Sequence, residues 1–149
     1  MKKILLMLVL GAFLFAGLVY GGKYHEVVPV MDKMVKGLEK FVNELEKAGS
    51  AAAVAAALDG YSDFMIKISP KLKELSKKFP ELEKDENTPE ELKPFKEKMD
   101  KLTIKLAGLY AKINQYLKDP VVEKAFKRWN ETMKTFDDES ENEDDKEDL

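Results

Sequence analysis

The sequence predicts an all-α fold: an antiparallel up-down-up-down four-helix bundle with a short fourth helix, set between an N-terminal hydrophobic leader and a disordered acidic C-terminal tail. Three observations carry this expectation. Apolar residues recur at alternating steps of four and three through four successive segments, the spacing of helices that bury a narrow stripe against one another. Short stretches with turn or capping residues separate the segments. Finally, 36% charged and 44% apolar residues with only six Pro in 149 match one compact domain of helix formers with short appendages.

The leader occupies residues 1–22. Lys2 and Lys3 precede an uncharged run from Ile4 to Gly22, and charge returns at Lys23, a pattern built to enter a translocon or a bilayer. Val19 and Gly21 suit the small-residue positions before a cleavage site, so the run reads as a signal peptide, with an uncleaved N-terminal membrane anchor as the alternative. Either reading exports the body, to a bacterial periplasm or the medium if cleaved, or to the outer side of the inner membrane if anchored. No Cys follows the run, so lipid modification of the lipoprotein type is chemically excluded.

The bundle domain spans 23–136. Its first stripe is Val27, Met31, Met34, Leu38, Phe41, Leu45 and Ala48, widened by Val28, Val35 and Val42, with Pro29 in the first turn where proline is tolerated. Ser50 is placed to cap the second segment, whose stripe is Val54, Leu58, Tyr61, Met65, Ile68, Leu72, Leu75 and Phe79. Pro70 interrupts that segment, which predicts either a kink near Ser69 or a restart with Ser69 as cap. Thr88-Pro89-Glu90-Glu91 forms a capping box ahead of Leu92, Phe95, Met99, Leu102, Leu106, Leu109, Ile113 and Tyr116, although Pro94 can delay the regular helix by a turn. Asp119-Pro120 ends this segment and starts the fourth, with Val122, Phe126, Trp129, Met133 and Phe136. The first three segments correspond to roughly 33–45 Å of helix and the fourth to about 25 Å, which would leave a groove beside it.

From Asp137 to Asp148 there are nine acids among twelve residues and no apolar side chain, so the tail 137–149 is expected to stay solvated. It lacks the glycine and the spaced ligands of an EF-hand loop. The tail sets the sign of the net charge: it carries nine acids and one Lys, whereas the body carries 22 basic residues against 19 acidic, and the overall charge is −3. A contact between the tail and the Lys-rich body would shield both. Glutamates interleave with the lysines of the second and third segments, so the body reads as a solvated mixed-charge surface and not as a nucleic-acid interface.

The chemistry for catalysis is missing. No phosphate-binding glycine loop, nucleophile elbow or helical His-Glu metal motif occurs, and one His with no Cys leaves no site that needs two. Asp59 and Asp63, one turn apart, read as a surface pair, with Asp63 beside core-facing Phe64 hinting at partial burial. In the predicted bundle the start of the first helix and the end of the fourth share one end, bringing His25, Met31 and Met34 towards Met133 and Trp129. This is the only haem or copper ligand set the chain offers, and the simpler reading is packed methionines with a surface His. The alanine block gives a small-residue face, Ala51, Ala52, Ala55 and Ala56, against which a helix or a partner can approach closely. The expectation is therefore an exported non-enzymatic binding or chaperone-like module for a polypeptide, lipid or envelope partner, with no cofactor and with membrane contact only through an uncleaved leader. The alternatives are a structural or assembly oligomer and a haem or copper carrier.

Overall fold

The computed structural model describes residues 24–82 and 92–141, the side chains of 81 and 136–141 excepted. The leader, the Thr88 capping box and the last eight residues of the tail lie outside the described residues. Within them the chain is all-helical: α1 (Val27–Lys47), α2 (Ala51–Lys78), a single 3-10 turn (Pro80–Leu82), α3 (Lys93–Tyr116) and α4 (Pro120–Glu141). No helix among the described residues is long and apolar enough to cross a membrane.

Local chemistry sets the boundaries. Ala48 leaves α1 in an extended conformation, and Ser50, also extended, accepts from the Ala53 amide at 3.3 Å to cap α2 as its position predicted. α2 then runs unbroken through Pro70, which excludes the restart at Ser69, one of the two outcomes that Pro70 allowed. Pro70 lies on an exposed side, as does Ile66, whose carbonyl loses its helical donor, so water can satisfy that oxygen without a break in the helix. α3 starts at Lys93 with Pro94 in its first two positions, where proline is tolerated, and the Lys96 amide donates to Leu92 at 2.8 Å. Asp119 accepts from Val121 through its side chain at 3.1 Å and from Val122 and Glu123 through its carbonyl at 3.0 and 2.9 Å, which caps α4 ahead of Pro120.

The fourth helix is not short. It has 22 residues against 21 in α1, and it runs five residues into the stretch expected to be a disordered tail. Apolar spacing ends at Phe136, yet Asp, Glu and Ser in the absence of Gly or Pro do not end a helix. The groove inferred from a truncated fourth helix has no basis.

α1 packs against α2 and α3, and α2 packs against α4. Glu26 at the start of α1 accepts from Lys78 at the end of α2 (2.7 and 2.8 Å), and Tyr24 meets Phe79 at 5.2 Å between ring centroids, so α1 and α2 run in opposite directions. At the other end Lys105 donates to Glu46 at 2.8 Å. Lys112 donates to the carbonyls of Leu45 (3.1 Å) and Glu46 (2.6 Å), closing the last turn of α1 from α3. The stripe of α1 is wholly buried and that of α2 all but Leu72, whereas Phe95, Leu102, Leu109 and Tyr116 of α3 and Phe126 of α4 are half-buried against the core. The middle of the core is a chain of rings. Phe41 stacks on Tyr61 (4.5 Å), Tyr61 lies against Phe64 (5.9 Å), and Trp129 meets Phe41 (6.4 Å), Tyr110 (6.2 Å) and Phe126 (5.6 Å), so all four helices contribute. The Phe64 ring lies directly over Gly37, where any Cβ would meet it.

The hydrogen bond from Lys78 holds Glu26 below the usual carboxylate range, and the one from Lys105 does the same for Glu46. A lowered folded pKa contributes stability that is present above the ordinary value of 4.5 and is lost as pH falls through the lowered one. Glu46 is exposed and Glu26 is only half-buried, so solvent screens both and the effect is small. In thermal melts the deficit of the Glu26→Gln/Glu46→Gln variant relative to the parent should be constant above about pH 5 and shrink steadily below it. A deficit independent of pH would contradict the assignment.

Candidate binding seam

α3 and α4 are consecutive, yet their backbones approach little; side chains, Tyr110 and Trp129 foremost, fill the space between them. Two features mark this seam. Thr103 is buried on α3, and two turns further Tyr110 is half-buried, while from α4 come fully buried Trp129 and half-buried Phe126 and Asn130. Furthermore, Thr103 Oγ1, Tyr110 Oη, Trp129 Nε1 and Asn130 Oδ1 are all buried atoms without a hydrogen-bond partner. A buried polar atom left unpaired costs about 1–3 kcal/mol. Burial raises the Tyr110 phenol to about 12, so it stays neutral and available as a donor. Tyr110 and Trp129 thus meet between the two helices, and α3 and α4 together carry two hydroxyls, one indole N–H and one amide oxygen that are buried and unpaired, groups able to donate to and accept from an uncharged polar ligand.

Other polar side chains are engaged locally. Ser62, fully buried, donates to the Leu58 carbonyl at 2.9 Å, and Thr132 to that of Arg128 at 2.9 Å, so neither is available to a ligand. Arg128 on α4 reaches across to α2 and donates to Asp59 (3.1 Å) and to Asp63, and those hydrogen bonds, Asp63 first, raise its pKa. Asp63 is exposed, not partly buried beside Phe64, so the two carboxylates form the two ends of an interhelical clamp. Sequence reasoning missed it, although a signal existed: Arg128 is the sole Arg among 25 basic residues, and only a guanidinium presents a planar fork to two carboxylates.

The residues singled out from the sequence are divided by the structure. Met31, Met34, Met133 and Trp129 are buried in the core cluster; His25 is outside it, its side chain 66% exposed and its Nε2 3.9 Å from Glu26. Imidazole and thioethers therefore lie in different environments, and no group of three His, Asp or Glu among the described residues could hold a metal ion. Of the alanines, Ala55 is buried and Ala51 packs against the core, whereas Ala52 and Ala56 face solvent together with Gly60. A shallow depression of about 400 Å³ on α1, lined by Lys36, Glu39, Lys40, Asn43, Glu44 and Lys47, has walls from one helix only and encloses nothing.

No protein-family model, curated protein or solved structure matches this chain.

Proposed function

We propose that this chain is an exported, non-enzymatic helical-bundle protein that binds an uncharged polar segment of a polypeptide along the α3–α4 seam. The observation that carries the reading is the set of four unpartnered buried polar atoms on these two helices. A peptide backbone offers N–H and C=O groups in alternation, so it can accept from Trp129 and donate to Asn130, recovering hydrogen bonds that the free protein forgoes. Half-buried Phe126 and Tyr110 supply apolar contact around them. Export rests on the leader, and the helix pairings fit a bundle in which α2 runs against α1 while α3 packs on α1 and α4 on α2.

Trp129 is the chain's only Trp and belongs to the seam, so its emission reports occupancy directly. The probe is a reduced, carboxymethylated polypeptide that cannot refold, titrated into the purified body. The expected result is a saturable change in Trp129 emission, weakened at least fivefold in the Thr103→Val/Asn130→Leu variant. That variant should be as stable as the parent or more so, since it removes two orphaned atoms. No change in emission, or equal affinity in the variant, overturns the reading; a response to laurate in place of the polypeptide would make the ligand a lipid.

A further inference from the structure

We propose that α3 is the moving wall of the seam: it swings away from α4 about Leu117–Asp119, and that motion brings the unpaired polar atoms within reach of a ligand. The inference rests on the seam as the binding site and adds how the site is entered. Thr103 Oγ1, Tyr110 Oη, Trp129 Nε1 and Asn130 Oδ1 are closed off from solvent as well as unpaired, so no polypeptide touches them while the bundle keeps this form. One of the two helices that carry them has to move.

α3 is the less firmly held of the two. Of its 24 residues it buries Met99, Thr103, Leu106 and Ile113, whereas α1 and α2 bury nine each. Its backbone packs closely on α1 alone, approaching α2 little and α4 hardly at all. α4, by contrast, lies closely along α2 and is clamped there by Arg128 on Asp59 and Asp63. In the second half of α3, Lys105 reaches Glu46 at 2.8 Å, and Lys112 reaches the Leu45 and Glu46 carbonyls at 3.1 and 2.6 Å. These bonds form a latch on α1. Opening is uphill, because Met99, Leu106 and Ile113 leave the core. It costs less than unfolding the whole bundle, because water then pairs with Thr103 Oγ1, Tyr110 Oη and Trp129 Nε1, which have no partner in the closed form. The connection from Leu117 to Asp119 is short, so α3 pivots at that corner. Thr103, about 21 Å of helix before Leu117, therefore travels further than Tyr110, at about 11 Å.

The chain has no Cys, so a single introduced thiol reports the exposure of its own helix. The test compares Thr103→Cys on α3 with Ser62→Cys at the fully buried Ser62 of α2, each labelled with an excess of a dipyridyl disulfide. Without denaturant, labelling should be about tenfold faster in the Thr103→Cys variant and should depend less steeply on urea, since a partial opening exposes less surface than unfolding. Adding Lys112→Met should speed labelling about tenfold in both variants, because α3 has left α1 in the open and the unfolded state alike. Adding Ser50→Ala, which removes the cap of α2, should speed labelling about fivefold in the Ser62→Cys variant and leave the Thr103→Cys variant unchanged. Equal rates with equal urea dependence, a Thr103→Cys rate indifferent to Lys112→Met, or one raised by Ser50→Ala would each overturn the proposal. All of these rates are read on the free protein, so they decide the motion of α3 separately from whether a polypeptide alters Trp129 emission.

Discussion

Replacing Trp129 with alanine should lower the free energy of unfolding by about 3–5 kcal/mol, the range for removing a fully buried large aromatic from a core. Trp129 is 0% exposed and its ring meets Phe41 of α1, Tyr110 of α3 and Phe126 of α4, so its loss opens a void at a point where three helices meet and no single neighbour can fill it. Trp129→Phe is the informative companion. It keeps most of the apolar contact and deletes the indole N–H, which has no acceptor, so its cost should be well under half that of the alanine variant. Urea unfolding followed by far-ultraviolet circular dichroism suits both, because either substitution removes the chain's only Trp signal. If the phenylalanine variant were as damaged as the alanine one, the indole nitrogen would have a partner that the structure does not show.

How much of this was legible beforehand follows from which forces are local. The apolar stripes are a one-dimensional property of the chain, and the whole stripe of α1 from Val27 to Ala48 is buried as its spacing predicted. Caps are local too, which is why Ser50 and Asp119 fell where their residue types suggested. The length of α4 was misjudged because apolar spacing marks where packing ends and not where helix ends. Pro70 left two outcomes open in the sequence, and only the structure excludes the restart, because the effect of a proline depends on whether the orphaned carbonyl faces water. The seam was out of reach: that Thr103 and Asn130 are polar is plain, but that both carry buried unpaired oxygens depends on how α3 and α4 are held apart by rings that neither helix encodes alone. The Arg128 clamp likewise needs two helices in register before a lone Arg acquires meaning.

The second large effect concerns Gly37. A Cβ there would lie 2.8 Å from Cδ1 of Phe64 and closer still to Cε1 and Cζ, so Gly37→Ala forces the ring away from its place beside Tyr61. Overpacking of this kind costs about 1–3 kcal/mol. Alanine is also better than glycine inside a helix by about 1 kcal/mol, and that gain opposes the clash. The sign of the substitution should consequently depend on its neighbour: destabilising with Phe64 present, and stabilising by up to about 1 kcal/mol in a Phe64→Ala background. A double-mutant cycle measured by chemical denaturation reads the coupling directly, and additive effects would mean that the ring does not bear on Gly37.

The ammonium of Lys112 lies on the Leu45 and Glu46 carbonyls at the end of α1, far along the chain from the helix it closes. Fraying of that terminus is thereby tied to detachment of α3, and the two become a single cooperative opening unit. Slow amide exchange in the final turn of α1 would then act as a remote gauge of α3, quickening whenever α3 lifts away and Leu45 and Glu46 lose their Lys112 partner.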